Sequence, residues 1–323
     1  MENVQSTRKK IALIGLGTVG LGWAATYLAK GHSVRAYDPA VGAASRANDF
    51  LSATWSSLVS LGIAEDPSPP TNRLTVLSDL REAVLGAAII HENGPENLDT
   101  KRLIFAEIEA HADDAAILAS SSGGLPPSEL QSQMRHPGRM LVAHPFNPAH
   151  LVPLVEIIGG KSTSPQTVEY AIVHFRSLGK HPIRVDKEKP GYLTNRLQFA
   201  LVREAVHCLV EGIAPLESIE DALRYGLAPR WLAMGSLTTL TLAGGQGGMA
   251  RMLDSFASAI DGWWDALGRP HMSVEVKDAL VAAAKKLVAE RGIDALIKER
   301  DEALVTILQT LSSIDSEGPH VKR

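Results

Sequence analysis

A single cysteine, Cys208, stands among 323 residues. It excludes a disulfide framework and any metal site built from cysteine, and it fits a reducing compartment such as the cytoplasm. Aromatic residues are scarce, at 5%, so a cage of several rings around a cation would use much of the supply. An excess of positive charge is missing: 32 Lys and Arg stand against 36 Asp and Glu, for a net charge of -4. No basic field therefore draws the chain to nucleic acid. Internal repeats are lacking too. One stretch imitates a long apolar run: "IALIGLGTVGLGWAATYLA", residues 11–29, is uncharged and follows Arg8, Lys9 and Lys10. It resembles a signal peptide or a short membrane helix. The glycines at 15, 17, 20 and 22 weaken any helix along its whole length, at ~1 kcal/mol each relative to alanine. A strand, a tight turn and a helix account for the same residues, and no membrane association is expected.

The composition, 45% hydrophobic and 21% charged, is globular, and the length suits one large domain or two ordinary ones. In the first half, "KKIALIGL" and "HSVRAYD" read as buried strands, with "TVGLGWAATYLAKG" as the helix between them. Apolar runs recur at "AAIIHE", "AAILASS", "RMLVAHPF" and "LVPLVEIIG", with helical segments between several of them. This alternation predicts an α/β fold, a Rossmann-type doubly wound, mostly parallel sheet. After "DKEKPGY" the patterns turn long and helical, and Leu193, Leu197, Leu201, Ala205 and Leu209 form one apolar stripe. We place the boundary near 188: an N-terminal nucleotide-binding domain over 1–188 and an all-helical domain over 189–323, ending in a loose tail, "SEGPHVKR".

"GLGTVG" puts Gly15, Gly17 and Gly20 in the G-x-G-x-x-G spacing, with Thr18 and Val19 between them. Here the glycines serve a tight turn, a close approach to a pyrophosphate and tight helix–strand packing, and the following helix aims its free N–H groups at the phosphates. Asp38 ends the next strand, 18 residues after Gly20, where a carboxylate accepts hydrogen bonds from the adenine ribose and repels a 2′-phosphate. The expected cofactor is NAD.

Hydride removal from an alcohol needs an acceptor for the hydroxyl proton, and histidine suits it. His144 and Glu156 lie at or near the ends of two successive predicted strands; if those strands are neighbours, the carboxylate orients the imidazole. His32, His111, His136, His174, His181, His271 and His320 fall in predicted loops or helix surfaces and are read as solvated.

The order of GLGTVG, Asp38, "ENGPENLDTK", "AHPFNP" with "LVEIIGG", and "PGYLTNRLQFALVREA" resembles the L-3-hydroxyacyl-CoA dehydrogenase superfamily over nearly the whole chain. "APRWLAMGSLTTLTLAGGQGGM" and "IKERDEALVTILQTL" resemble the branch of L-carnitine dehydrogenases and lambda-crystallin-like L-gulonate 3-dehydrogenases, the former more closely. The resemblance implies that His144 and Glu156 are the catalytic pair and that Asn195 bonds the substrate oxygen or orients the site. It also implies that Glu96 and Lys101 lie near the nicotinamide, and that the helical domain forms a homodimer contact. One position departs: the serine that the family carries 21 residues before the histidine is Gly123 here, in "LASSSGGL". Ser122 or Ser121 is the expected substitute, and a serine restored at 123 raises turnover if the lost hydroxyl matters.

Residues 47–72 contain no lysine or arginine, which argues against the phosphates of coenzyme A and for a small L-3-hydroxy acid, with L-carnitine first and L-gulonate next. Arg230, with Arg196 second, is the candidate for the substrate carboxylate; Arg230 reads equally as a surface or interdomain ion pair. Trp231, Phe146 and Tyr192 offer faces for a trimethylammonium group, although the tryptophans, Trp263 and Trp264 included, also read as core or dimer contacts. No metal is expected. A 3-hydroxyacyl-CoA dehydrogenase and a weakly active, crystallin-like NAD-binding protein remain as other readings.

Overall fold

The computed structural model describes residues 9–288 and 291–317. The tail from 318, with His320, lies outside the described residues. By compactness the chain divides into two units, Met1–Arg196 and Leu197–Arg323.

The first unit is built on β1 (Lys10–Ile14), β2 (Ser33–Tyr37), β3 (Leu74–Leu77), β4 (Ile89–Glu92), β5 (Ile117–Ser120), β6 (Met140–Pro145), β7 (Leu154–Gly159) and β8 (His181–Arg184). They form one sheet in the order β3-β2-β1-β4-β5-β6-β7-β8, every pair parallel except β6–β7. Its helices are α1 (Thr18–Ala29), α2 (Ala43–Ser60), α3 (Leu80–Val84), α4 (Leu98–His111), α5 (Pro127–Leu130) and α6 (Pro165–Ser177). Both faces of the sheet are covered. Ile11 and Leu13 join a core with Trp23 and Tyr27 of α1, Leu51 and Trp55 of α2 and Phe175 of α6. Ala12 and Ile14 join a second core with Val84 of α3 and Phe105 and Ile108 of α4. A strand buried on two faces must be apolar throughout, which is why "IALI" lacks alternation. The edge strands β3 and β8 carry little such signal, and proline in "HPIR" is tolerated because an edge leaves one side unpaired.

Helix α7 (Thr194–Val210) leads into α8 (Leu216–Asp221), α9 (Ala228–Met234), α10 (Ser236–Ala243), α11 (Gly248–Ala266), α12 (Val274–Val288) and α13 (Ile293–Glu317). Among the described residues this half contains no strand, and nowhere among the described residues is a helix long and apolar enough to cross a membrane. Within one chain the expected apolar stripe is exposed at Leu193 and Leu197 and half-buried at Leu201, Ala205 and Leu209.

Two histidines correct the sequence reading. His32 and His174, expected in solvent, are buried. Tyr27 Oη lies 2.7 Å from His91 Nε2 and 2.9 Å from His174 Nε2, and Tyr170 stacks on His174. Helix α6 packs against the sheet, and this polar cluster lies beneath it. The neighbouring Phe175 marks the buried face, but a lone histidine gives no such sign.

Candidate active site

The phosphate loop is formed by close backbone contacts. Gly15 has φ +98°, and a Cβ there would stand 2.8 Å from Asn93 O; at Gly20 it would stand 2.0 Å from Gly15 O. Only glycine fits either place. At Gly17 a Cβ would meet nothing within 4 Å, so this side of the turn is open to a ligand. No side chain caps the start of α1, and its first turn holds no acidic residue, which leaves its amides for an anion. The Leu16 N–H donates to Asp38 Oδ2 at 2.7 Å, tying the loop to the end of β2. Beside it a cavity of about 410 Å³ is lined by Tyr37, Asp38, Ala40, Val76 and Leu77. These features fit a dinucleotide, its pyrophosphate on α1 and its adenosine at Asp38.

β6 and β7 run antiparallel with His144 directly opposite Glu156. Their side chains therefore share one face, and His144 Nδ1 lies 2.8 Å from Glu156 Oε2. The other carboxylate oxygen accepts the amides of Leu193 (3.1 Å) and Thr194 (2.8 Å). Burial pushes the Glu156 carboxyl up, but the bonds from His144 and the two amides, with the imidazole's charge, outweigh it and hold it below its usual range. An ionised Glu156 only accepts, so the imidazole proton sits on Nδ1 and Nε2 is left as a base. The chain reaches this geometry through Gly191 (φ +74°) and Tyr192 (φ 47°). Tyr192 Oη donates to Leu125 O at 2.6 Å, and its ring lies 5.7 Å from that of His144.

Asn195 Nδ2 donates to Gly123 O at 2.9 Å. A Cβ on Gly123 would stand 3.2 Å from His144 Nε2 and 3.5 Å from Asn195 Nδ2. The space left by the absent side chain thus lies within reach of both polar groups. Ser122 and Ser121 are engaged elsewhere: Ser122 Oγ donates to Glu96 at 2.6 Å, and Ser121 Oγ donates to Asn93 Oδ1 at 2.8 Å and accepts Trp23 Nε1. A cavity of about 500 Å³ is lined by Val19, Asn93, Glu96, Lys101, Ser121, Gly123 and His144. It unites the start of α1 with the imidazole.

Phe146 packs against His144, ring centroids 4.6 Å apart, and Arg196 is exposed on the first turn of α7. Arg230 and Trp231 lie on α9 in the second unit, where Arg230 Nε donates to Gly226 O. Sequence reading passed over Asn93, whose Nδ2 donates to Gly15 O and Oδ1 accepts Ser121 Oγ. It also passed over Glu92 and Ser120. The signal was available: polar residues crowd the ends of two apolar strands, in "IIHEN" and "ILASSS".

Family models match both halves of the chain. Residues 10–189 match the 3-hydroxyacyl-CoA dehydrogenase NAD binding domain, and residues 191–286 match its C-terminal domain. The chain belongs to the 3-hydroxyacyl-CoA dehydrogenase family. It is an NAD-dependent dehydrogenase. Among its relatives, the L-carnitine dehydrogenase of Streptomyces griseus is 39% identical over 98% of this chain and 93% of its own. That of Pseudomonas putida is 40% identical over 94% of each. A solved structure of 5-formyl-3-hydroxy-2-methylpyridine 4-carboxylic acid 5-dehydrogenase, an NAD-dependent dismutase, superposes with a TM-score of 0.83 at 32% identity, covering 95% of this chain and 99% of that one. The 3-hydroxybutyryl-CoA dehydrogenase of Escherichia coli gives 0.63 at 29% identity, covering 78% of this chain and 53% of that one.

Proposed function

We propose that the enzyme oxidises the 3-hydroxyl of a small L-3-hydroxy acid, L-carnitine first and L-gulonate next, with His144 as the base. One observation carries the site assignment: His144 and Val19, at the start of the phosphate-binding helix, line a single cavity. NAD, when bound, supplies the hydride acceptor. Gly15, Gly17, Thr18, Val19, Gly20 and Asp38 hold it, with Glu96 and Lys101 beside the nicotinamide end. His144 Nε2 takes the alcohol proton, Glu156 stabilises the imidazolium that forms, and Asn195 Nδ2 holds the oxygen. Phe146 offers a face for a cationic head, and Arg196 offers a guanidinium for the carboxylate.

The names of the relatives at 39–40% identity support carnitine. The lack of any basic residue over 47–72 supports a small acid over an acyl-CoA. The test is NADH formation with L-carnitine, L-gulonate, 3-hydroxybutyrate and 3-hydroxybutyryl-CoA. Turnover of the acyl-CoA alone would overturn the small-acid reading. His144→Ala is expected to cut kcat by about 10²–10⁴ while calorimetric NAD affinity stays unchanged; equal losses in both would make His144 structural.

We also propose a cytoplasmic homodimer. The lone cysteine fits a reducing compartment. In the helical unit Trp263 and Trp264 are 61% and 67% exposed, an apolar surface that a second copy would cover.

A further inference from the structure

We propose that Glu92, through a buried ion pair with Lys101, is a positioning residue that sets the spacing of the two loops framing the reacting centre. Glu92 closes β4 and Lys101 lies on α4; their side chains are 0% and 1% exposed, with Nζ 2.8 Å from each carboxylate oxygen. Glu92 Oε1 also accepts the Gly94 amide at 2.6 Å, and Oε2 accepts Ser120 Oγ at 2.6 Å. One carboxylate thus holds the loop after β4 and the end of β5 together. Lys101 Nζ donates further to Gly94 O at 3.1 Å and lies 3.6 Å from Glu96 Oε2. Glu96 Oε1 accepts Ser122 Oγ and the Gly123 amide at 3.1 Å, and Gly123 O accepts Asn195 Nδ2. An unbroken chain of polar contacts therefore runs from the buried pair to the groups beside His144 Nε2. Desolvation consumes most of what such a pair gains in attraction, so a buried pair is a poor device for stability alone. Its value lies in directional contacts that an apolar pair lacks.

The proposal rests on the site reading above, and the experiment separates the two. Glu92→Gln alone strands a buried cation, so the informative variants are Ser120→Ala and the charge-free double variant Glu92→Gln/Lys101→Met. Thermal midpoint, NAD affinity, kcat and the deuterium isotope effect on hydride transfer are measured with the best substrate of the wild-type panel. Both variants are expected to fold. The double variant loses about tenfold or more in kcat, because displacements under 1 Å at a reacting centre carry such losses, and its isotope effect rises as hydride transfer slows. Ser120→Ala loses kcat in the same direction by a smaller factor. Wild-type kcat in either folded variant overturns the proposal, and if the double variant does not fold, Ser120→Ala decides by the same criterion. Turnover surviving His144→Ala overturns the site reading and this proposal with it; an inactive His144→Ala beside two unimpaired variants overturns this proposal alone.

Discussion

Gly123 stands where the family resemblance leads one to expect a serine, and the structure changes what to expect of it. Its φ is not in the left-handed region, so a side chain is admissible on backbone grounds. The obstacle is His144, whose ring is pinned by Glu156 at 2.8 Å and would stand 3.2 Å from the new Cβ. Overpacking of this kind costs about 1–3 kcal/mol. Gly123→Ala and Gly123→Ser are therefore expected to lower kcat/KM by about 10- to 100-fold with NAD affinity unchanged; faster turnover in Gly123→Ser would show that the lost hydroxyl matters more than the space. At the same scale, Glu156→Gln keeps the shape but removes the charge that stabilises the imidazolium. It also puts an amide donor beside Nδ1. A loss of about 10²–10⁴ in kcat is expected, read by steady-state rates at saturating NAD. A loss below threefold would take Glu156 out of the proton path. Gly123 was visible in the sequence as a departure, but its distance to an imidazole 21 residues away was not, because loop geometry sets it.

At the scale of elements, the strand–loop–helix at residues 10–29 was readable because glycine, alone among residues, satisfies both the φ at Gly15 and the contact at Gly20. Gly20→Ala drives a Cβ onto the carbonyl of Gly15, and neither backbone can retreat. Loss of measurable NAD binding and a lower thermal midpoint are expected; an unaltered NAD affinity would remove the loop from the cofactor site. Asp38→Asn keeps an acceptor for the Leu16 amide yet removes the charge that repels a 2′-phosphate. The ratio of kcat/KM for NADP over NAD is expected to rise about tenfold or more, and an unchanged ratio would place the ribose contact elsewhere. The pairing of β6 with β7 was only half legible. Residues 146–153 are too few for a parallel crossover, which takes a dozen or more, so the antiparallel turn was implied. The register that sets His144 against Glu156 was not, since a slip of one residue would put the two on opposite faces.

For the whole molecule, burial of histidine makes stability depend on pH. His91 is lowered to about 3 by burial and then by His174; His174 is lowered to about 3 by burial and then by Lys9 and His32. Unfolded histidine titrates near 6.5. Above that pH neither state carries the proton and the contribution is fully present. Below it the unfolded chain takes up protons that the fold refuses, and stability falls as the pH drops from there toward 3. The urea midpoint is expected to drop clearly between pH 7 and pH 5; a flat profile would mean that the cluster opens to water. The exposed tryptophans of the helical unit predict a particle of twice 34.6 kDa by light scattering, and a monomer at micromolar concentration would leave that surface to another partner.

The sequence by itself determined the alternation of strand and helix, the glycine turn with its carboxylate, and the candidate histidine and glutamate. These follow from local causes: backbone freedom, side-chain period and the chemistry a proton acceptor needs. The tertiary structure alone decided that Glu156 faces His144, that Asn195 meets Gly123, that Glu92 and Lys101 are sealed together beneath the site, and that His32 and His174 are buried. Those outcomes depend on strand order, register and packing, and no local pattern in the sequence specifies them.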